Sequence, residues 1–415
     1  MARGGWIGGN YGFGPAPTYG LPVEALPRCV AILGEDIAPL RPRLLVEDDQ
    51  EVRAGETLLV DRRRPELSVS APVSGRIAEI RRGPRRSFDR LVIETNEAAP
   101  KSFVLPAKLD RDSLTALMIE AGAWPALRTR PFERIARPEQ PPEALFVTAI
   151  DTRPLAPDPA AIIAPRAAWF AAGLAALTLL STGPTYLCHR KGAALPQVDG
   201  VTSHGFSGGH PAGLAGTHIH KLHPVGAGGM VWHIGYQEVL ALGHLLQTGT
   251  IWQRRIVGLA GDGVTAPTLL ETLPGADLHD ICRERLAGGA VRLLSGSPLD
   301  GRPSRFLGRG HCQVSVLRHA GNGATRHWWG EAMNWLTRGS GAIIPNSRHE
   351  GVAPPGILPI PFLRAIASGD AQTAQRLGAL ELAEEDLALL TYVDGGTADF
   401  GRMLRRVLDM LEAGR

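Results

Sequence analysis

The residues best suited to chemistry lie between His204 and His233, in the stretch HGFSGGHPAGLAGTHIHKLHPVGAGGMVWH. If Thr217 to Leu222 forms a strand, His218 and His220 share one face, because side chains alternate with period two. Two imidazoles on one face can begin a metal site. Zinc, however, takes about three or four ligands oriented by carboxylates, and the stretch has no Asp, Glu or Cys. A second reading uses the backbone: glycines from Gly205 to Gly216 let main-chain N–H groups approach an anion or a quinone carbonyl. A third is architectural, with glycines allowing loops to cross tightly and histidines bonding backbone carbonyls inside a domain interface. The candidates for a ligand or interface loop are Phe206, Ser207, His210, Gly213, Gly216, Thr217, His218 and His220. Ser207 in GFSGGH does not match the G-x-S-x-G elbow of a serine nucleophile, so no catalytic residue and no metal ligand is assigned.

Two other groups suit contact with a partner. Arg81, Arg82, Arg85 and Arg86 fall in the densest basic stretch, which reads as a hairpin turn able to meet a partner subunit or anionic headgroups. Trp328, Trp329 and Trp335, beside Arg326 and His327, combine aromatics with cations as protein contacts and membrane interfaces do. Cys29, Cys188, Cys282 and Cys312 form no C-x-x-C pair, which argues against an iron–sulfur or zinc-ribbon site and for a reducing compartment.

The elements that must position these residues are short and turn-rich. With 50 Gly and 33 Pro, the chain is unlike a helical bundle. Its 415 residues exceed one core, and a net charge of +3 without a basic stripe gives no sign of nucleic-acid binding. The longest apolar stretch, Ala167 to Leu180, is about 14 residues where a membrane span needs about 20, so no transmembrane segment is expected.

The expected fold is a multidomain α/β (α+β mixed) protein. Residues 1–20 read as a flexible arm. Residues 21–105 alternate short apolar runs and turns. Val52, Gly55 and Leu58, followed by APVSG at Ala71 to Gly75, resemble the barrel-sandwich hybrid of lipoyl and biotinyl carriers. Where those carry a modified lysine, this chain has Asp61 to Glu66 and no lysine. Residues 106–140 read as a helix near Ser113 to Ala121 and a Pro/Arg-rich linker. Residues 141–265 form a Rossmann-like α/β domain holding the His/Gly loop, with a strand at Ala144 to Ile150 but no G-x-G-x-x-G after it. Residues 266–360 form a small α/β domain, and 361–415 a helical region ending in an amphipathic helix, Phe400 to Glu412.

The string FSGGHPAGLAGTHIHKLHPVG, Phe206 to Gly226, closely resembles the A subunit of the Na+-translocating NADH:quinone reductase (the NqrA family). LFVTAIDTRPLAPDP at Leu145 to Pro159, VWHIGYQEVLALG at Val231 to Gly243, SGSPLDGR at Ser295 to Arg302 and LGALELAEEDLALLTYV at Leu377 to Val393 follow in family order. The chain is identified as a divergent member. After TYV the family's Cys-Pro-Gly-Lys is replaced by Asp394, Gly395, Gly396 and Thr397, and the tryptophan segment is also unlike the family.

The resemblance implies a peripheral subunit on the cytoplasmic, inner face of the bacterial membrane, docked on membrane-embedded subunits in a hetero-oligomer. It implies scaffold and assembly work with a quinone contact and no cofactor on this chain. FAD, FMN, riboflavin and a 2Fe-2S centre are expected on partner subunits, with ubiquinone as the substrate of the complex; the isolated chain is expected to be non-catalytic. Two alternatives stand beside it: a paralogue recruited to a different membrane electron-transfer complex, and a stand-alone quinone- or small-ligand-binding protein.

Overall fold

The computed structural model describes residues 20–38, 40–225, 228–318, 343, 345, 347–395 and 398–414. The expected N-terminal arm, apart from Gly20, and Trp328, Trp329 and Trp335 lie outside the described residues.

Near the N-terminus two antiparallel sheets share one core. One orders Cys29–Leu33, Phe88–Thr95, Gly75–Arg82 and Glu51–Val52; the other orders Pro42–Leu44, Thr57–Asp61 and Ser68–Ser70. Alternation along the strands sends Val30, Ile32, Val69, Ile77, Leu91 and Ile93 inward. This is the expected barrel-sandwich hybrid. Its lysine-free turn is pinned by Asp61, whose Oδ1 accepts from the N–H groups of Arg41 and Arg63 at 2.9 and 3.3 Å.

The next module is a five-stranded sheet ordered Val201–Phe206, Thr185–Arg190, Ala144–Ala149, Val231–Gly235 and Arg128–Arg130. The first four strands are parallel and the last is antiparallel. In chain order the parallel strands run third, second, first, fourth, so the connection reverses between Ala144–Ala149 and Val231–Gly235. Leu145 and Val147 face helices Ala167–Leu177 and Tyr236–Thr248 on one side. Ala144 and Phe146 face helix Ala215–Leu222 on the other. The two long helices cross closely because Gly173 rests on the Val239 carbonyl and Gly243 on that of Trp169, leaving no room for a Cβ.

Helix Ala167–Leu177 also belongs to the helical run Pro159–Leu177, 19 residues of mean hydropathy 1.6, which is long and apolar enough to cross a membrane by length and composition. The sequence suggested a shorter stretch because Pro165 and Arg166 interrupt the apolar pattern. The run bends at Arg166, with φ −125 and ψ 26, and Phe170, Leu174 and Leu177 are fully buried in the sheet's core.

A six-stranded mixed sheet follows, ordered Val23–Glu24, Thr268–Thr272, Arg255–Ala260, Gln313–Arg318, Val291–Ser295 and Arg302–Pro303. Two of these strands lie elsewhere than expected. Arg255–Ala260 belongs here and not to the Rossmann-like sheet, and Val23–Glu24 leaves the barrel-sandwich module to pair in parallel with Leu270 and Glu271. The C-terminal helices enclose their own core of Phe362, Leu387, Leu390, Phe400, Leu404, Val407 and Leu408. Gly369, at φ +73, ends helix Pro359–Ser368 in the left-handed conformation that favours glycine.

Residues 106–140 are more than a helix and linker. Trp124 is fully buried, with its Nε1–H donating to Ala136 O at 2.9 Å, and Arg128–Arg130 is an edge strand. The edge position tolerates Pro131 directly after it, since no further ladder donor is needed there.

Candidate functional site

The segment Thr217 to Leu222 is not a strand. It lies in helix Ala215–Leu222, with the His218 N–H donating to Leu214 O at 3.2 Å. Ala215, Ile219 and Leu222 recur at helical spacing and turn onto the sheet core. Two residues apart on a helix diverge by about 200°, so His218 and His220 leave in different directions and the proposed pair of ligands dissolves. No group of His, Cys, Asp and Glu able to hold a metal occurs among the described residues.

The two histidines instead tie structure together. His218 is fully buried; its Nε2–H donates to Ala212 O at 2.9 Å and its ring lies 4.2 Å from that of Phe206. Burial pushes its imidazole down to about 4. His220 reaches across to the C-terminal region, placing Nδ1 2.6 Å from Oε2 of Glu381. Thr217 Oγ1 donates to Pro211 O at 3.0 Å. The Gly213 N–H donates to Thr152 Oγ1 at 2.8 Å, and His210 is buried beside the same threonine, Nδ1 at 3.5 Å. Burial, aided by the charge of Arg153, depresses His210 to about 4. Ser207 is exposed. The segment therefore crosses the carboxyl end of the parallel sheet and locks it to the helical region.

That end opens into a cleft of about 3370 Å³ lined by all three larger modules and the barrel-sandwich domain. Asp151, Arg153, Gly213 and Tyr236 stand at its floor, beside the reversal of strand order. Crevices at such reversals are where open α/β sheets bind ligands.

The densest charge cluster centres on Arg153. Its Nε donates to Asp300 at 2.6 Å, Nη1 lies 3.4 Å from Asp151, and Nη2 pairs with Glu385. One guanidinium thus joins the Rossmann-like module, the small domain and the helical region. Burial opposes ionisation at both Arg153 and Asp300, yet their mutual attraction wins: Arg153 is raised and Asp300 is held far below the usual carboxylate range. A second cluster adjoins it. Fully buried Arg130 pairs with Glu133 and lies 3.5 Å from Glu385 and 3.8 Å from Asp386. His233 Nε2 sits 2.9 Å from Glu133, and burial together with Arg130 keeps its imidazole neutral. Burial likewise raises Asp386, against the pull of Arg130.

Neither cluster was among the residues singled out from the sequence. The signal lay in the segments that carry the resemblance: DTRPLAPDP holds Asp151 and Arg153, SGSPLDGR holds Asp300, and ALELAEEDLALL holds Glu385 and Asp386. Arg81, Arg82, Arg85 and Arg86 of the basic hairpin are not among the residues that line the cleft. Arg81 lies 3.5 Å from Asp89, whereas Arg82, Arg85 and Arg86 are exposed and make no ion pair among the described residues.

Comparison with known proteins adds the family. Residues 16–96 match the NqrA N-terminal barrel-sandwich hybrid domain, 109–251 the NqrA second alpha/beta domain, and 256–305 the NQRA C-terminal domain. The A subunit of the Na(+)-translocating NADH-quinone reductase of Serratia proteamaculans is 40% identical, over 95% of this chain and 97% of that one. Its counterpart in Pseudomonas aeruginosa is 39% identical over 93% and 94%. A crystal structure of an NAD+-reducing NiFe hydrogenase superposes with a TM-score of 0.40 at 13% identity, over 73% of this chain and 61% of that one, a likeness too weak to bear on function. With three domain matches in order and such identity along nearly its whole length, the chain belongs to the NqrA family, the A subunits of Na(+)-translocating NADH-quinone reductases.

Proposed function

We propose that this chain is the peripheral scaffold subunit of a Na+-translocating NADH:quinone reductase-type membrane complex, held on the cytoplasmic face by membrane-embedded subunits. In this reading it has no redox centre of its own. FAD, FMN, riboflavin and the 2Fe-2S centre sit on partner subunits, and ubiquinone is the substrate of the complex. The observation that carries the reading is the Arg153 cluster, in which one partly buried guanidinium holds carboxylates from three modules. A network of partly buried pairs that spans three modules resists their separation, so the modules behave as one body able to present a fixed surface. The exposed arginines of the 81–86 turn supply a docking surface for an acidic partner face.

A second reading gives the chain a quinone contact at Ser207 to Gly209. It is favoured by the exposed turn there, with Gly208 at φ +113, which leaves main-chain groups accessible beside buried His210. Gentle detergent purification of the tagged chain from its own membranes tests the main reading, through the identity of its partners and an optical spectrum. Flavin and iron–sulfur absorption with the reductase's membrane subunits is expected. Other partners would make the chain a recruited relative. Recovery alone from the soluble fraction would overturn the scaffold role and favour a stand-alone quinone binder.

A further inference from the structure

The turn that stands where the carriers bear their lysine gathers arginines instead. Strand Thr57–Asp61 runs into Arg62, Arg63 and Arg64, and strand Pro42–Leu44 lies alongside, bringing Arg41 and Arg43, with Pro42 opposite Asp61 and Arg43 opposite Val60. The Arg62 N–H donates to Arg41 O at 2.9 Å, so these two residues are direct neighbours. Buried Asp61 fixes the arrangement. Its Oδ1 accepts from the N–H groups of Arg41 and Arg63, and its own N–H donates to Leu67 O at 2.9 Å. One carboxylate thus holds the backbone of the turn without pairing with any of its guanidinium groups.

Arg41, Arg43, Arg62 and Arg63 are exposed. Among the described residues neither they nor Arg64 has a side-chain hydrogen bond or an ion pair. Arg64 is partly buried, and its Nη1 is enclosed with no partner. Glu66 is the one exposed acid in the turn itself. Beyond the far end of strand Pro42–Leu44, Asp48 accepts from the Ile80 N–H at 2.8 Å and Asp49 pairs with Arg76, so both are engaged away from the turn.

Neighbouring like charges on paired strands repel, and an enclosed polar atom without a partner is costly. Neither improves the fold. Both are relieved by carboxylates arriving from outside, whose paired oxygens match the guanidinium fork. The field of such a cluster reaches about 8 Å at physiological ionic strength, which steers an acidic partner toward it. Lipid-binding basic clusters sit on juxtamembrane segments and amphipathic helices. This one is on a pinned β-turn that presents its side chains from fixed positions, which suits a partner of defined shape. We propose that the 61–66 turn, with Arg41 and Arg43 beside it, is a docking site for an acidic segment of a partner polypeptide. The proposal rests on the reading of the chain as a subunit of a larger complex, and the contact is additional to that of the 81–86 turn.

The test puts a photo-reactive side chain at the exposed rim of the turn, Glu66→p-benzoylphenylalanine, in the full chain, irradiates its own membranes and maps the cross-link. A cross-link to a partner polypeptide within a stretch rich in Asp and Glu is expected. Adding Arg41→Gln, Arg62→Gln and Arg63→Gln should lower its yield about fivefold or more at low salt, while Arg137→Gln with Arg364→Gln, two exposed arginines elsewhere, leaves it unchanged. Lysine at the same three positions should keep most of the yield, and the isolated glutamine triple should melt at the parent's Tm, which separates lost docking from lost folding. The cross-link of the chain with its arginines intact decides the matter even where a variant folds poorly. A cross-link to lipid alone, one to a partner stretch without acids, none from a chain that co-purifies with its partners, or full yield in a folded glutamine triple overturns the proposal and leaves the complex reading standing. Recovery of the parent chain alone overturns that reading and this one together.

Discussion

The Gly216 backbone lies against the Asp386 carboxylate, so close that a Cβ at position 216 would stand 2.5 Å from Oδ1 and 2.7 Å from Oδ2. Asp386 cannot easily retreat, because it is buried and its Oδ2 accepts from the Ala383 N–H at 2.8 Å. Gly216→Ala is therefore expected to cost about 1–3 kcal/mol, the range for overpacking a tight interior. Urea unfolding reads the loss, and faster proteolysis between residues 377 and 395 shows the helical region loosening. An unchanged unfolding midpoint would mean that the contact yields freely.

Arg153→Met removes the centre of the three-module cluster and leaves Asp300 and Glu385 without their shared cation. Loss of one partner of a fully buried pair typically costs about 3–5 kcal/mol; this cluster is partly exposed, so the loss should fall below that range. Adding Asp300→Asn and Glu385→Gln to the same chain should recover part of that, because the uncompensated charges are then gone. Equal stability of the single and triple variants would show that the carboxylates find water instead.

Stability should fall as pH drops from about 6.5 to about 4. His210 and His218 are depressed to about 4 in the folded chain against an ordinary 6.5. The unfolded state therefore binds more protons in that window, and stability rises with pH across it, each tenfold difference in proton affinity being worth about 1.4 kcal/mol. Buried Asp386 is shifted upward and acts with the opposite sign. His218→Phe keeps a ring against Phe206 but removes one titrating group, so its pH profile between 4 and 6.5 should be shallower than the parent's. Denaturant midpoints across this range decide the matter.

Replacing Arg82, Arg85 and Arg86 together by Gln should leave stability within about 0.5 kcal/mol, as surface changes away from special features do. Retention on the membrane complex should instead fall, with the largest difference from the parent at low salt, where the deleted charges are least screened. Full retention in detergent extracts would remove the hairpin from the docking surface.

Much of the fold was legible where burial leaves a direct mark. Ala144–Ala149 and Arg255–Ala260 are predominantly apolar runs, and the Phe400–Ala413 helix repeats Phe400, Leu404, Val407 and Leu408 at helical spacing. Which sheet Arg255–Ala260 joins was not legible, since a strand buried on both faces says nothing of its neighbours. The strand entertained for 217–222 does not form; the spacing of Ala215, Ile219 and Leu222 carried the helix. Arg153 and its carboxylates lay in segments already marked by the family resemblance, but residues 147 and 232 positions apart give no hint of pairing until the chain is folded.

The stitch between the chain's beginning and its small domain bears on how the protein can be cut and recombined. Besides the Val23–Glu24 pairing, the Ala25 N–H donates to Glu271 O, the Ala31 N–H to Gly275 O, and the Asp277 N–H to Cys29 O. Gly275, at φ +78, lies directly on the Ala31 backbone. The barrel-sandwich module is thus no detachable cassette. A chimera that swaps residues up to 105 between relatives must carry the matching 268–277 segment with it, and a ribosome making this chain holds an unpaired edge in waiting for some 240 residues until its partner strand emerges.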